Sequence, residues 1–162
     1  VTVSDEPGYI TSTIVADGQY WDGYGVYVGT KYPVTKEMVE KKEHLLRFHP
    51  NFHKYPADVN YGHWPDVIRK SLKKAGYTEK DLDMVILTQV RLADIEQTME
   101  NLGLPLEKTH WIMHKYGYTG SACAFMALED ALNEGKIKKG DLVAFCTSGV
   151  GYVMSSALFR WV

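Results

Sequence analysis

The sequence is poor in several features that mark specialised classes of protein. Its 162 residues include two cysteines, Cys123 and Cys146, which lie inside apolar stretches and lack the spacing of metal ligands. This pattern argues against a disulfide scaffold or a zinc module and favours a cytoplasmic address. The formal net charge is only −2, so there is no reason to expect binding to nucleic acid or to an anionic membrane.

Long apolar runs and a targeting leader are also missing from the sequence. No run approaches the roughly 20 apolar residues that cross a bilayer, and no charged stretch followed by an apolar segment opens the chain. The first residue is Val1 instead of methionine, so we expect a piece of a longer protein. The length suits a single globular domain over residues 1–162.

Strand and helix patterns alternate along the chain. β-branched, aromatic and buried apolar runs predict strands over residues 9–16, 84–87, 110–113 and 142–147, with 152–159 as a returning hairpin partner. Helical spacing predicts helices within residues 33–48, 66–75, 92–102 and 120–133. Residues 18–33 indicate a hairpin or an ordered loop, and residues 49–56 indicate a loop. This alternation predicts an α/β layered sheet of mixed direction.

The helix over residues 120–133 differs from the other predicted helices. Residues 122–128 (ACAFMAL) contain no polar position over two turns. A helix that is apolar all round is buried on more than one side. We therefore expect a central helix, part of whose apolar surface a lone domain would expose.

Six histidines are present, and two groups of them invite a search for a metal site. His44, His49 and His53 cluster in a polar stretch, and His110 and His114 are four residues apart. A zinc site needs three or four converging ligands, and neither group has the spacing of a known metal motif. We predict surface or loop histidines and no metal ion.

Two further features have both a catalytic and a structural interpretation. Cys123 lies near a helix start, where the helix dipole can activate a thiol, but a small core residue is the favoured interpretation. Gly149 and Gly151 flank Val150 in a turn whose backbone N–H groups could bind an oxyanion. A plain hairpin turn fits the same three residues.

Several motifs together resemble the C-terminal half of β-ketoacyl-acyl-carrier-protein synthase III, a condensing enzyme of thiolase fold. Residues 87–89 (LTQ) lie where the family has Pro-His-Gln, and residues 116–122 (YGYTGSA) resemble its (His/Tyr)-Gly-Asn-Thr-x-(Ser/Ala)-Ala. The resemblance covers about three quarters of the chain and leaves residues 19–56 without a clear match. Its other segments are residues 6–18, 65–76 (PDVIRKSLKKAG), 127–131 (ALEDA), 135–143 (GKIKKGDLV), 149–151 (GVG) and 156–161 (SALFRW).

The resemblance implies a fold and a set of partners. The fold is a thiolase-like half, a mixed five-stranded sheet flanked by helices. In the family two such halves pack into αβαβα layers, and the helix over residues 120–133 faces the other half. The implied partners are the missing N-terminal half, a second copy of the parent protein in a homodimer, and acyl carrier protein or coenzyme A. Their thioesters are substrates, and no metal or redox cofactor is implied.

The resemblance also implies site residues, with two departures. The family uses a Cys nucleophile on the N-terminal half, and a His and an Asn on the C-terminal half that hydrogen-bond the thioester oxygen. Here Thr88 stands at the His position and Tyr118 at the Asn position. The backbone of Gly149, Val150 and Gly151 matches the oxyanion loop. Thr88 cannot act as an imidazole does, although its hydroxyl can donate a hydrogen bond.

These departures leave three interpretations open. The parent protein transfers acyl groups between thioesters or to another acceptor, as an acyltransferase in fatty acid or polyketide biosynthesis. Alternatively, it is a divergent condensing enzyme that uses Thr88 and Tyr118 as substitute donors. The third alternative is a non-catalytic partner or structural domain of thiolase fold. Both residues also have a structural interpretation, because a threonine suits a strand end and a tyrosine can pack over a turn. We do not expect the chain to be active alone.

Overall fold

The computed structural model describes residues 5–21, 24–26, 28–29, 32–48 and 55–162. The described residues fall into two compact units. The larger unit lies within residues 1–15, 58–148 and 154–162, and the smaller unit lies within residues 16–57 and 149–153.

Five helices and six strands carry the described fold. The helices are α1 (Lys36–Glu40), α2 (Trp64–Ala75), α3 (Leu92–Leu102), α4 (Met113–Tyr116) and α5 (Cys123–Asn133). The strands are β1 (Tyr9–Ala16), β2 (Tyr24–Gly25), β3 (Arg47–Phe48), β4 (Met84–Leu87), β5 (Leu142–Gly149) and β6 (Val153–Arg160). The bounds predicted for β1, β4 and α3 are confirmed to the residue.

Four strands form one mixed sheet in the order β1-β6-β5-β4. Strands β4 and β5 run parallel, in a register that pairs Met84 with Val143. Strand β1 runs antiparallel to β6, because backbone hydrogen bonds join Gly8 to Arg160 at one end and Asp17 to Tyr152 at the other. The predicted mixed α/β architecture is therefore confirmed.

The sheet has four strands where five were predicted. Residues 110–113 do not form a strand, and only Thr109 makes a single parallel bridge to Val85. Beyond that bridge, hydrogen bonds to the buried side chain of Gln89 take the place of hydrogen bonds between strands. This side chain donates to the carbonyl of His110 at 3.1 Å and accepts the N–H of Ile112 at 2.9 Å. Because these backbone groups are already hydrogen-bonded to Gln89, residues 110–113 do not continue the pairing as a strand.

Helices cover both faces of the sheet. Side chains alternate between the two faces of a strand, and Met84, Ile86 and Val143 join one buried cluster with the alanines of α5. On β5, Cys146 points the other way, and its thiol donates to the carbonyl of Trp64 at the start of α2. Helices α5 and α2 therefore lie on opposite faces.

Local signals account for the position of α2. Pro65 stands in its first turn, where the missing N–H costs nothing. Val67, Ile68 and Leu72 are buried at helical spacing, so one face packs inward. Gly76 ends the helix with a φ of 77°, a conformation that suits glycine.

Helix α5 leaves part of its apolar surface uncovered, as the sequence predicted. Ala124, Ala127 and Ala131 are buried against the sheet. Phe125 is 67% exposed, and its ring lies 6.2 Å from that of Phe145 on β5. Residues 120–122, included in the predicted helix, form a 3₁₀ turn ahead of α5.

The smaller unit differs from its prediction. The helix predicted within residues 33–48 is limited to α1, whose N-cap Thr35 accepts the N–H of Met38 at 3.3 Å. The helix stops because Lys42 takes a positive φ of 59°, and residues 47–48 pair as β3 with β2. The loop predicted over residues 49–56 lies largely outside the described residues. None of the described helices combines the length and apolarity that a bilayer crossing requires.

Candidate active site

Thr88, at the position matching the family His, follows directly after β4. Its backbone N–H donates to the carbonyl of Cys146 at 3.2 Å, and its residue surface is 3% exposed. Its hydroxyl oxygen accepts the backbone N–H of Ser148 at 2.9 Å. The fold therefore holds Thr88 beside the residue that precedes the glycine loop.

Ser148 is anchored through its own hydroxyl. The indole Nε1 of Trp64 donates to Ser148 Oγ at 2.6 Å, and Ser148 Oγ donates to Asn60 Oδ1 at 3.0 Å. Trp64 has no exposed surface, so the donor is fixed by close packing. Two side chains from the start of α2 and the segment before it thus hold the end of β5.

Asn60 is held in turn by a buried carboxylate. Its Nδ2 donates to Asp94 Oδ2 at 2.8 Å, and Arg91 donates to both Asp94 oxygens at 2.7 and 3.2 Å. The Asp94 side chain is 2% exposed, whereas that of Arg91 is 55% exposed. One continuous chain of hydrogen bonds therefore runs from the surface at Arg91 through Asp94, Asn60 and Ser148 to Thr88.

Tyr118, at the position matching the family Asn, lies between α4 and α5 and is 51% exposed. The hydrogen bond of Thr88 goes to Ser148 and not to Tyr118. Gly117, just before Tyr118, takes a positive φ of 67°. The structure thus places Thr88 in a buried network and Tyr118 in an exposed turn.

The loop with Gly149, Val150 and Gly151 belongs to the smaller unit. The N–H of Gly151 donates to the hydroxyl of Tyr55 at 3.1 Å. Val150 is 47% exposed, and Gly151 has a φ of 132°, which favours glycine. Of the predicted oxyanion donors, Gly151 is therefore already engaged in this conformation.

Three tyrosines of the smaller unit pack together beside this loop. The ring of Tyr20 lies 5.1 Å from that of Tyr55 and 5.3 Å from that of Tyr152. Asp17 and Tyr152 exchange two backbone hydrogen bonds. Burial, and to a smaller extent the charge of Asp17, raise the pKa of Tyr152. The tyrosine packing thus holds the turn that contains Gly151.

His110 lies in a loop, as one of the two predicted alternatives has it, but it is buried, so a surface position is wrong. Lys136 Nζ lies 3.0 Å from Nδ1, and Asp130 Oδ2 lies 2.8 Å from Nε2. Because an ammonium group can only donate, Nδ1 accepts and Nε2 carries the hydrogen. Both ring nitrogens are satisfied, which permits burial. His44 and His114 are exposed, as predicted, and His49 and His53 lie outside the described residues.

The same cluster has the spacing of a cation site. His110, Asp130 and Glu134 offer ligand atoms within 4.8 Å of one another. However, Lys115 donates to Asp130 at 2.6 Å, and Lys136 lies 2.9 Å from Glu134. These ammonium groups already supply positive charge to the ligand atoms, so the cluster is an internal ion-pair network.

This network makes stability depend on pH. The Lys115 ammonium, and then His110, hold the pKa of Asp130 below its usual value. Such a carboxylate stabilises the fold at pH values above its unfolded-state pKa. This contribution to stability is lost as the pH falls through the folded-state pKa. We expect Asp130→Asn to be less stable at pH 7, with a difference that shrinks below about pH 4.

Denaturant unfolding at several pH values measures this effect. The matched control is Glu129→Gln, an exposed neighbour on the same helix, which should leave the pH dependence unchanged. A stability difference for Asp130→Asn that stays constant from neutral to acid pH would contradict the prediction.

Both cysteines are buried and free of disulfides. Cys123 is 2% exposed, which confirms its interpretation as a core residue. Burial raises the pKa of the Cys146 thiol far above its usual range. Both thiols are therefore shielded from solvent.

Sequence reasoning missed the residues that hold Thr88. Ser148 lies between the strand predicted over residues 142–147 and the glycine turn, and Asn60, Trp64 and Asp94 carried no motif. Asn60 is 34 positions from Asp94 and 88 from Ser148, so no local pattern connects them. The one signal in the sequence was Asp94, an aspartate in the first turn of the helix predicted over residues 92–102.

Comparison with known proteins agrees with this architecture. The structure of 3-oxoacyl-[acyl-carrier-protein] synthase III from Aquifex aeolicus VF5 matches 99% of this chain and 47% of that chain, with 27% identity and a TM-score of 0.75. Another 3-oxoacyl-(acyl-carrier-protein) synthase III structure, at 19% identity, gives a TM-score of 0.80 over 99% of this chain and 50% of that one. The molecule is thus a thiolase-like α/β half.

Sequence comparison gives the family. Residues 72–161 match the model for the 3-oxoacyl-[acyl-carrier-protein] synthase III C-terminal domain. The β-ketoacyl-[acyl-carrier-protein] synthase III of Syntrophomonas wolfei is 32% identical over 159 residues, 96% of this chain and 46% of that protein. The enzyme of that name from Synechocystis is 40% identical over 97 residues, 60% of this chain and 29% of that protein.

The chain therefore belongs to the family of 3-oxoacyl-[acyl-carrier-protein] synthase III C-terminal domains. It spans about half the length of the Syntrophomonas wolfei relative, whose matched region covers nearly all of this chain.

Proposed function

We propose that this chain is the C-terminal half of a 3-oxoacyl-acyl-carrier-protein synthase III-like acyltransferase that acts on acyl thioesters. The observation that carries the proposal is the near-complete match of the chain to half of a β-ketoacyl-[acyl-carrier-protein] synthase III. A buried hydroxyl at the end of β4, which accepts the backbone N–H of Ser148, supports a site at this place.

The side chains favour acyl transfer over decarboxylative condensation by the usual route. Thr88 replaces an imidazole, and Tyr118 replaces an amide. A threonine hydroxyl can stabilise a carbonyl oxygen by donating a hydrogen bond, but it does not offer a base that titrates near neutral pH. Acyl transfer needs less from these two positions than decarboxylation does.

In this proposal an N-terminal half supplies the nucleophile. Its cysteine thiolate attacks the carbonyl carbon of an acyl thioester, a new C–S bond forms, and the old C–S bond breaks. The departing thiolate then takes up a proton. The exposed Phe125 on α5 offers an apolar surface on which that half can pack.

The carriers are pantetheine thioesters of coenzyme A or acyl carrier protein. We place the parent protein in the cytoplasm as a homodimer, in fatty acid or polyketide biosynthesis. These assignments rest on the family relationship together with the near-neutral charge of the chain.

Mass spectrometry of the intact parent protein tests the proposal. After incubation with an acyl-coenzyme A, we expect a mass increase equal to one acyl group, which prior treatment with iodoacetamide abolishes. The chain of residues 1–162 alone is the matched control and should gain no acyl group, because both its cysteines are buried. An unmodified parent protein would support a non-catalytic partner of thiolase fold instead.

A further inference from the structure

We propose that the hydrogen bond between the Tyr55 hydroxyl and the backbone N–H of Gly151 is an autoinhibitory contact, which the carbonyl oxygen of a bound acyl thioester displaces. The inference rests on the proposed function, because it adds a means of regulation to the same site. We call this hydrogen bond the blocking contact. Every observation that supports it comes from the smaller unit.

The blocking contact occupies a donor of the glycine loop. Gly151 donates its N–H to Tyr55 Oη at 3.1 Å, although the two residues are 96 positions apart in the sequence. A backbone N–H carries a single hydrogen, so Gly151 offers it to another oxygen only after the bond to Tyr55 has broken. The loop in this conformation therefore has one oxyanion donor fewer than the family resemblance implies.

The turn around Gly151 does not need the blocking contact to keep its shape. Asp17 and Tyr152 exchange backbone hydrogen bonds of 2.8 and 2.7 Å, and the ring of Tyr20 packs 5.3 Å from that of Tyr152. The Tyr55 ring itself lies 5.1 Å from that of Tyr20, a contact that phenylalanine would keep. The Tyr55 hydroxyl is therefore dispensable for holding the turn, and its effect falls on the availability of the Gly151 N–H.

The backbone of Gly151 leaves room for a ligand beside the loop. Its φ of 132° favours glycine. Apart from its two chain neighbours, no described residue has an atom within 4 Å of the point where a Cβ would stand. The neighbouring Val150 is 47% exposed. A ligand oxygen can therefore approach the loop from this side, and the Tyr55 hydroxyl is the group that it has to replace.

The Tyr55 hydroxyl is a weak competitor for this N–H. A phenol oxygen is an uncharged acceptor, and the hydrogen of Tyr55 goes to the carbonyl of Tyr20 over a long 3.5 Å. The carbonyl oxygen of a thioester gains negative charge while the acyl group is transferred, and hydrogen bonds to charged acceptors are about twice as strong as neutral ones. The blocking contact thus lowers the affinity for the substrate and yields as the oxyanion forms.

Ligand binding to the intact parent protein tests the blocking contact. The probe is S-acetonyl-coenzyme A, a ketone that keeps the carbonyl of acetyl-coenzyme A but does not transfer an acyl group. Tyr55→Phe should bind this ketone about 2- to 10-fold more tightly by isothermal titration calorimetry, because no hydrogen bond has to break first. The matched control Tyr9→Phe removes the hydroxyl of an exposed tyrosine on β1 and should leave the affinity unchanged.

Coenzyme A itself provides a second control, since it lacks the carbonyl group. Its affinity should be the same for Tyr55→Phe and for the unsubstituted parent protein. An equal or weaker affinity of Tyr55→Phe for the ketone overturns the inference, and so does a gain of equal size for coenzyme A. Tighter ketone binding without any acyl transfer from acetyl-coenzyme A overturns the proposed function and leaves the blocking contact supported, whereas acyl transfer with unchanged ketone affinity does the reverse.

Nuclear magnetic resonance of the unsubstituted parent protein, labelled with ¹⁵N-glycine, gives the same test without a substitution. The Gly151 amide signal should shift when the ketone is added and stay in place when coenzyme A is added. In Tyr55→Phe the amide hydrogen of Gly151 should also exchange with solvent faster than in the unsubstituted protein. A Gly151 signal that the ketone leaves in place overturns the inference, whether or not Tyr55→Phe folds.

Discussion

Replacing Trp64 by alanine is expected to lower the free energy of unfolding by about 3–5 kcal/mol, the usual cost of removing a large buried aromatic side chain. Trp64 has no exposed surface at the start of α2. Its indole N–H also donates to Ser148 at 2.6 Å, and its carbonyl accepts from the thiol of Cys146 on β5. Alanine therefore leaves a cavity and removes the hydrogen bond that Ser148 Oγ accepts. Denaturant unfolding followed by far-ultraviolet circular dichroism measures the loss.

Trp64→Phe separates the two contributions. Phenylalanine fills most of the volume and lacks the N–H, so we expect a loss of about 1–2 kcal/mol, close to that of one hydrogen bond. A loss for Trp64→Ala no larger than for Trp64→Phe would show that α2 does not depend on this ring.

Replacing Gln89 by alanine is expected to cost about 3–5 kcal/mol, because several buried backbone groups lose their partner at once. Gln89 has no exposed surface. Its amide donates to the carbonyls of Leu87 and His110 at 3.2 and 3.1 Å and accepts the N–H of Ile112 at 2.9 Å. Unfolding experiments measure the loss, and faster hydrogen exchange at Ile112 should accompany it.

The matched control is Gln97→Ala on α3. Gln97 is exposed, and its amide donates to Glu100 in the same helix, so the change should stay within about 0.5 kcal/mol. Equal losses for both glutamines would contradict the role assigned to Gln89. Because Gln89 follows Thr88, the same variant should also disturb the site.

Much of the fold follows from local pattern. The apolar run over residues 84–87 and the helical spacing over 92–102 predicted β4 and α3 with the bounds they have. A four-residue apolar run bounded by polar residues leaves few alternatives to a buried strand. The apolar surface of α5 was also predictable, because no arrangement of one sheet covers a helix that is apolar all round.

The incorrect predictions have a common physical cause. Residues 110–113 have strand propensity, but Gln89 takes the backbone groups that a strand would pair. Histidine usually lies on the polar surface of a protein. His110 is buried because Asp130 and Lys136 form hydrogen bonds with both its ring nitrogens. In each case the partner is 20 or more positions away, so a window of local sequence does not contain the deciding interaction.

The amino-acid sequence by itself determined the α/β class, several elements to the residue, the family relationship and the two departures at Thr88 and Tyr118. Tertiary structure alone decided where these two residues lie and what they contact. Thr88 is buried and bonded to Ser148, whereas Tyr118 is half exposed. The physical reason is that a hydroxyl's role as donor or acceptor depends on its neighbours. Here those neighbours come from separate elements, which only the folded chain brings together.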